Sequence, residues 1–345
     1  MLDLHQIDLM ARGGSIALLA LWSWILFRDH RTSLSARAAL GMNITIICYI
    51  LSTPLGSPGS RNFLAILTDT LSVYAPAFFW LFALTWFNDL QIVGRRNWMF
   101  FGLFAILPIA QTIIKTVTGD YSLVCWIMVR IGMFAFGAAG LWIAYRGRDN
   151  DLVEARRRFR FWLIWAIGGF VIWVNALELM AQGKWLSTQG RAFTEIAMFV
   201  VTFIASVALY GLAKPDLFAK PAKPKDIGAT SELSALALRL QTFMTHERIY
   251  REEGLTIAAL AAKLGEQEYK MRRLINGELG FRNFTAFLNS YRLSEVREAL
   301  VDPTQKDVPI ITIALDAGFG SLGPFNRAFR ETEGMTPSEY KSCSR

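Results

Sequence analysis

The chain has 345 residues, 53% of them hydrophobic, a mean hydropathy of +0.32 and a formal net charge of +8 at pH 7. The length accommodates two domains, and apolar runs of about 20 residues repeated along the first half exclude an ordinary soluble fold, whose helices need only one apolar stripe. The charge is not a nucleic-acid signature: residues 231–345 balance 15 Lys/Arg against 15 Asp/Glu, so the basic excess lies in residues 1–213 (+6) and 214–230 (+2). Three Cys (Cys48, Cys125, Cys343) and three His (His5, His30, His246) have no metal or redox spacing, so neither a metal nor a cofactor is expected.

Residues 1–213 read as a seven-span membrane domain. The apolar segments are 10–27, 37–55, 63–87, 97–115, 121–145, 159–180 and 192–213. The first is expected to be a retained span rather than a cleaved leader, with Arg12 snorkelling at its start. Trp22, Trp86, Trp98, Trp162 and Trp185 lie near segment ends, as an interfacial aromatic belt requires.

Placing the C-terminus in the cytoplasm puts fifteen Lys/Arg in the cytoplasmic loops and following tail, against five on the opposite side. That bias orients the N-terminus outward and residues 214–345 inward, in a bacterial inner membrane. Ionisable residues within spans are costly and are candidates for function. They are Asp69, Arg130, Glu178 and Glu195, all expected in the outer half of the bilayer. They are read either as a ligand-sensing cavity or as structural ion pairs. Gly132, Gly137, Gly140, Gly168 and Gly169 permit close helix approach. No nucleophile elbow, phosphate loop or metal motif suggests an enzyme.

Residues 214–234 form a Pro/Lys-rich linker with Pro215, Pro221 and Pro224. Such a tether is a poor rigid lever. A signal passing through it is expected to act by proximity or dimerisation.

The rest is predicted to be helical and soluble. Ile257, Leu260, Ala261 and Leu264 mark one face of a short helix, Gly265 breaks it, and a second helix spans about 267–276 with Met271, Leu274 and Ile275 inward. Tyr269 is expected to be partly packed. A long connector helix over 283–301 carries Phe284, Phe287, Leu288, Tyr291 and Leu300 on its apolar side. The first pattern then recurs: Ile310, Ile313, Ala314 and Ala317, a turn at Gly318-Phe319-Gly320, and a helix from Leu322 to Glu331 with Phe325 and Phe329 inward.

Two helix-turn-helix motifs joined by a connector helix resemble the DNA-binding domain of the AraC/XylS family of bacterial transcription regulators. The strongest match is Ile313-Ala314, Ala317-Gly318-Phe319, Phe325-x-Arg327-x-Phe329-Arg330 and Gly334-Met335-Thr336-Pro337-x-x-Tyr340. The resemblance covers about 235–341, with motifs at about 256–276 and 309–331.

It implies base or phosphate contacts from Gln267, Lys270, Arg272, Arg273 and Asn276 on the first recognition helix. On the second it implies Ser321, Leu322, Asn326, Arg327 and Arg330. Arg273 and Arg327 stand where the family's Arg is often structural.

The expected whole is all-α: a polytopic seven-helix membrane bundle plus a double helix-turn-helix domain. The function expected is a membrane-anchored transcription regulator, by family resemblance an activator. The rival is a transporter or membrane enzyme with a regulatory C-terminal domain. The expected partners are promoter DNA, the lipid bilayer, RNA polymerase, a second copy of the chain, and a small molecule or membrane protein that supplies the signal.

Overall fold

The computed structural model describes residues 3–55, 62–87, 93–119, 122–153, 157, 160, 166, 170, 174, 188–212 and 231–343. Among these, helices are the only regular elements apart from one isolated β-bridge. The chain divides into two compact units: residues 1–149 with 155–219, and residues 150–154 with 220–345.

In the first unit, α1 (Leu4–His30), α2 (Leu34–Leu55), α3 (Phe63–Ser72), α4 (Ala75–Phe87), α5 (Arg95–Thr118), α6 (Leu123–Arg146) and α7 (Thr188–Leu212) follow in order. The α1, α2, α5 and α6 helices are long and apolar enough to cross a membrane. The predicted third span is broken: α3 and α4 meet at a 40° bend. Pro76 explains the break, because it has no N–H for the Ser72 carbonyl and its ring crowds that carbonyl. If this pair crosses as one, the described residues hold five spans. The described apolar part of α7, Ala192–Val207, is shorter than a span. The predicted segment 159–180 lies outside the described residues apart from 160, 166, 170 and 174. Glu178, Gly168, Gly169, Trp162 and Trp185 also lie outside them.

Close helix approach is visible at Gly140 of α6, where an added Cβ would lie 2.6 Å from Phe79 and 3.3 Å from the Trp80 Cα. The aromatic belt is only partly present. Trp98 is exposed at the start of α5, but Trp86 is buried between Phe82 and Phe87. Trp22 donates its indole N–H to the Ser206 hydroxyl at 2.9 Å.

The second unit comprises α8 (Ser231–Thr245), α9 (Ile257–Lys263), α10 (Glu268–Arg273), α11 (Phe284–Val301), α12 (Ile310–Asp316), α13 (Leu322–Glu333) and α14 (Pro337–Cys343). A π-helical turn, Leu274–Glu278, extends α10. The α8 helix was not foreseen in the sequence. It brings Leu236, Leu240 and Met244 into a core with Leu260, Leu264, Met271, Phe284 and Phe287.

A second core gathers Leu293, Val296 and Leu300 with Ile313, Ala314, Phe319, Phe325 and Phe329. The α11 helix serves both cores. Its Asn283 cap accepts from the Thr285 N–H at 2.8 Å, and Pro303 ensures that it stops. Each fully buried Phe contributes about 1.5–3 kcal/mol of transfer free energy.

Candidate nucleic-acid interface

The first motif is α9–turn–α10. The Thr256 hydroxyl caps α9 by accepting from the Ala259 N–H at 3.1 Å. Ile257, Leu260, Ala261 and Leu264 are all buried, as their spacing requires. Met271, Leu274 and Ile275 are fully buried under α10 and the π-helical turn, which fixes the opposite face outward.

That outward face holds Gln267, Lys270 and Arg273, all exposed. Tyr269 corrects the packing expectation: it is 61% exposed and lies one helical turn before Arg273. Arg272 departs from its expected role as an open contact. It is only 9% exposed, its Nε donates to Glu268 Oε1 at 2.8 Å, and Nη1 donates to the Asp151 carbonyl at 2.6 Å. Asn276 is half-buried and donates to the Phe281 carbonyl at 3.0 Å, which makes it part of the scaffold.

The second motif is α12–turn–α13. Ile313, Ala314 and Ala317 are buried, and Phe325 and Phe329 have no exposed surface. Ser321, Leu322, Asn326, Arg327 and Arg330 are all exposed, and residues 321–330 contain no acid. The structure thus gathers the five predicted side chains of this helix on the solvent side. The helix ends at Gly334, at φ +74°, whose N–H reaches the Arg330 carbonyl at 3.0 Å.

The two motifs are held together by groups that the sequence reading did not single out. Arg292 is 7% exposed and donates to the Tyr250 carbonyl at 2.7 Å and the Glu252 carbonyl at 3.0 Å. Its guanidinium also lies 5.7 Å from the centre of the Phe319 ring, in the second motif's turn. The signal was present: Phe284, Leu288, Val296 and Leu300 repeat every four residues, and Arg292 fills the missing place in that buried row.

Gly318, at φ +94°, completes the joint; an added Cβ would lie 2.6 Å from the Arg251 Cα and carbonyl oxygen. Arg251 and Arg248 both pair with Glu295 of α11. Burial pushes the Glu295 carboxyl up, but hydrogen bonds from Arg251 and Tyr250 and the charges of Arg251 and Arg248 outweigh it and hold the group below its ordinary range. Burial lowers the Arg292 guanidinium from its ordinary range, against the charge of Glu253.

Of the sensing candidates of the first unit, Asp69, Arg130 and Glu195 lie among the described residues. Asp69 pairs with Lys115 at 3.9 Å, and the Arg130 guanidinium lies 5.5 Å from the Trp126 ring centre. Glu195, 2% exposed, pairs with Arg12 at 3.7 Å. Arg12 therefore does not snorkel. It is 8% exposed, bridges Asp8 at 3.0 Å and donates to the Ile50 carbonyl at 3.3 Å. The spacing of Asp8 and Arg12, one turn apart in an apolar helix, was the available sign of an internal pair.

Residues 260–342 match a helix-turn-helix domain family. A probable transcription factor, PqrA of Proteus vulgaris, is 29% identical over 94 residues, which is 27% of this chain and 74% of that protein. No solved structure matches. With the double motif, these likenesses identify the C-terminal unit as an AraC-type helix-turn-helix domain.

Proposed function

We infer that this AraC-type regulator is anchored in a membrane by its N-terminal unit and reads promoter DNA from the cytoplasmic side. The observation that carries the anchoring is the pairing of length with exposure. The most apolar windows of α5 and α6 are only 11% and 17% buried within the protein. Leu103, Ile106, Ile109 and Ile113 on α5, and Ile127, Ile131 and Phe134 on α6, all face outward. In water such a surface would aggregate; in lipid it is solvated.

DNA enters through Gln267, Tyr269, Lys270 and Arg273 on one recognition helix and Ser321, Leu322, Asn326, Arg327 and Arg330 on the other. Two such helices suit successive major grooves about 34 Å apart. The 18-residue α11, about 27 Å at helical rise, suits a rigid spacer for that distance. The N-terminal unit senses a small molecule, lipid state or membrane protein, and Asp69, Arg130, Glu178 and Glu195 are candidates for that role. The output is activation, through RNA polymerase and a second copy of the chain.

The test combines membrane flotation with promoter-fragment binding by the full-length protein in lipid discs. Flotation with the membranes and a preferred DNA sequence support the reading. A protein left in the soluble fraction overturns the anchoring, and binding without sequence preference overturns the promoter reading.

A further inference from the structure

Residues 150–154 belong to the DNA-binding unit, although the chain on either side of them, up to 149 and from 155 to 219, belongs to the other unit. The attachment is specific. Asp151 and Asn283 form an antiparallel bridge. The Leu152 N–H donates to the Arg282 carbonyl at 3.0 Å, and the Phe284 N–H donates to the Asn150 carbonyl at 2.9 Å. Leu152 is 3% exposed within the first core. The Asp151 carbonyl takes the guanidinium of Arg272, and the Asp151 carboxylate turns back to accept from the Val153 N–H at 3.1 Å.

Arg272 follows Tyr269 by three residues and precedes Arg273, so helical spacing sets it on the edge of the face that carries both. Tyr269 and Arg273 are exposed; Arg272 is covered by the docked segment and by Glu268.

We propose that residues 150–153 are a built-in cover for the first recognition helix, whose docking withholds Arg272 from DNA and whose release hands it over. The occupant is a segment of this chain already seated on the surface. Among the described residues, the contact includes one buried leucine of the first core, two main-chain hydrogen bonds and one charge-assisted hydrogen bond. Its release leaves the other side chains of the two cores in place.

The segment lies between stretches of the proposed membrane unit. A change there has a covalent route to the recognition helix that bypasses the linker at 214–230. The proposal rests on the DNA-reading function inferred above.

The test uses full-length protein in lipid discs and a duplex selected from a random library with the Leu152→Asp variant. Leu152→Asp binds that duplex about tenfold more tightly than the wild type, the size of one good guanidinium contact. Arg272→Ala alone binds as the wild type does, and adding Arg272→Ala to Leu152→Asp removes the gain. In Leu152→Asp the amides of residue 152 and Phe284 exchange hydrogen rapidly, while those of Met271 and Phe287 stay protected. No gain in Leu152→Asp, or a gain that survives Arg272→Ala, overturns the proposal.

A second pair guards against misfolding. With the native cysteines replaced by alanine, Asp151→Cys with Asn283→Cys places thiols at a non-hydrogen-bonded bridge pair, whose ~4.5 Å Cα spacing suits a disulfide. In the Leu152→Asp background the oxidised lock binds DNA about tenfold more weakly than its reduced form; equal binding overturns the proposal. Absence of DNA binding by every variant, with exchange showing a folded domain, overturns the DNA-reading function itself.

Discussion

The two units use helices alike and both bury apolar side chains, but they differ in the polar groups they bury and the apolar ones they expose. In the C-terminal unit Phe284, Phe287, Phe325 and Phe329 are inside, and among the described residues the buried cations are Arg272 and Arg292. In the N-terminal unit the buried set includes Arg12, Ser15, Asn43, Thr45, Thr194, Glu195, Thr202 and Ser206, while Leu103, Ile109, Phe134 and Trp142 are exposed. Several of those hydroxyls are satisfied one turn back: Thr194 donates to the Gly190 carbonyl at 2.9 Å and Thr202 to the Met198 carbonyl at 2.8 Å. Exposed apolar faces with polar groups turned inward are what a lipid solvent would ask of the proposed membrane unit.

The most damaging change to the C-terminal unit is Phe325→Ala. Loss of a fully buried ring costs about 3–5 kcal/mol. Hydrogen exchange in α12 and α13 should lose protection before that in α9 and α10, because the two cores are distinct. The matching break in the N-terminal unit is electrostatic. Arg12→Ala leaves Glu195 and Asp8 without a partner that both now use, and breaking a buried pair costs about 3–5 kcal/mol. Thermal unfolding in detergent should fall sharply, and Arg12→Met with Glu195→Leu should recover much of the loss. A double variant as unstable as Arg12→Ala would show that the pair is not the point of failure.

These two sites show where the sequence was legible. The i, i+3, i+4, i+7 rows named Leu260, Ile313 and their neighbours correctly, because in water an apolar stripe and a buried stripe coincide. The same reading put Arg12 at a surface, because a hydropathy window records which segment is apolar and not which side chains face one another. The break before Pro76 was hidden by the unbroken apolar run around it. Arg292 and the 150–154 segment owe their roles to residues 40 or more positions distant, such as Tyr250 and Arg272, which no local period encodes. Of the predicted DNA contacts, the α13 group is exposed as expected, while Arg272 and Asn276 are engaged by carbonyls that belong to the tertiary fold.

Gly318→Ala tests the joint between the motifs. A left-handed residue pressed on the Arg251 backbone should cost about 1–3 kcal/mol, and DNA binding should fall with stability. Arg330→Ala should be milder. A lost phosphate contact weakens binding across all sequences and reduces the salt slope by about one, from a slope already shallow because residues 231–345 carry no net charge. A wild-type slope of about ten or more would contradict a small set of phosphate contacts.

The smallest effect is at Glu295. Its folded-state affinity for protons is lowered, so its ion pairs stabilise the fold above the ordinary value of 4.5, and that contribution is lost as pH falls through the folded value. Stability of the wild type and Glu295→Gln should converge in acid; parallel profiles would place the acid sensitivity elsewhere.

One measurement bears most directly on the proposal that the chain reads DNA from a membrane. Cells are cross-linked, membranes are floated free of soluble protein, and the DNA retained with the full-length chain is sequenced. The account predicts discrete enriched sites that vanish in an Arg273→Glu, Arg330→Glu variant still found in the floated membranes. Uniform DNA coverage, or a chain absent from those membranes, would contradict it.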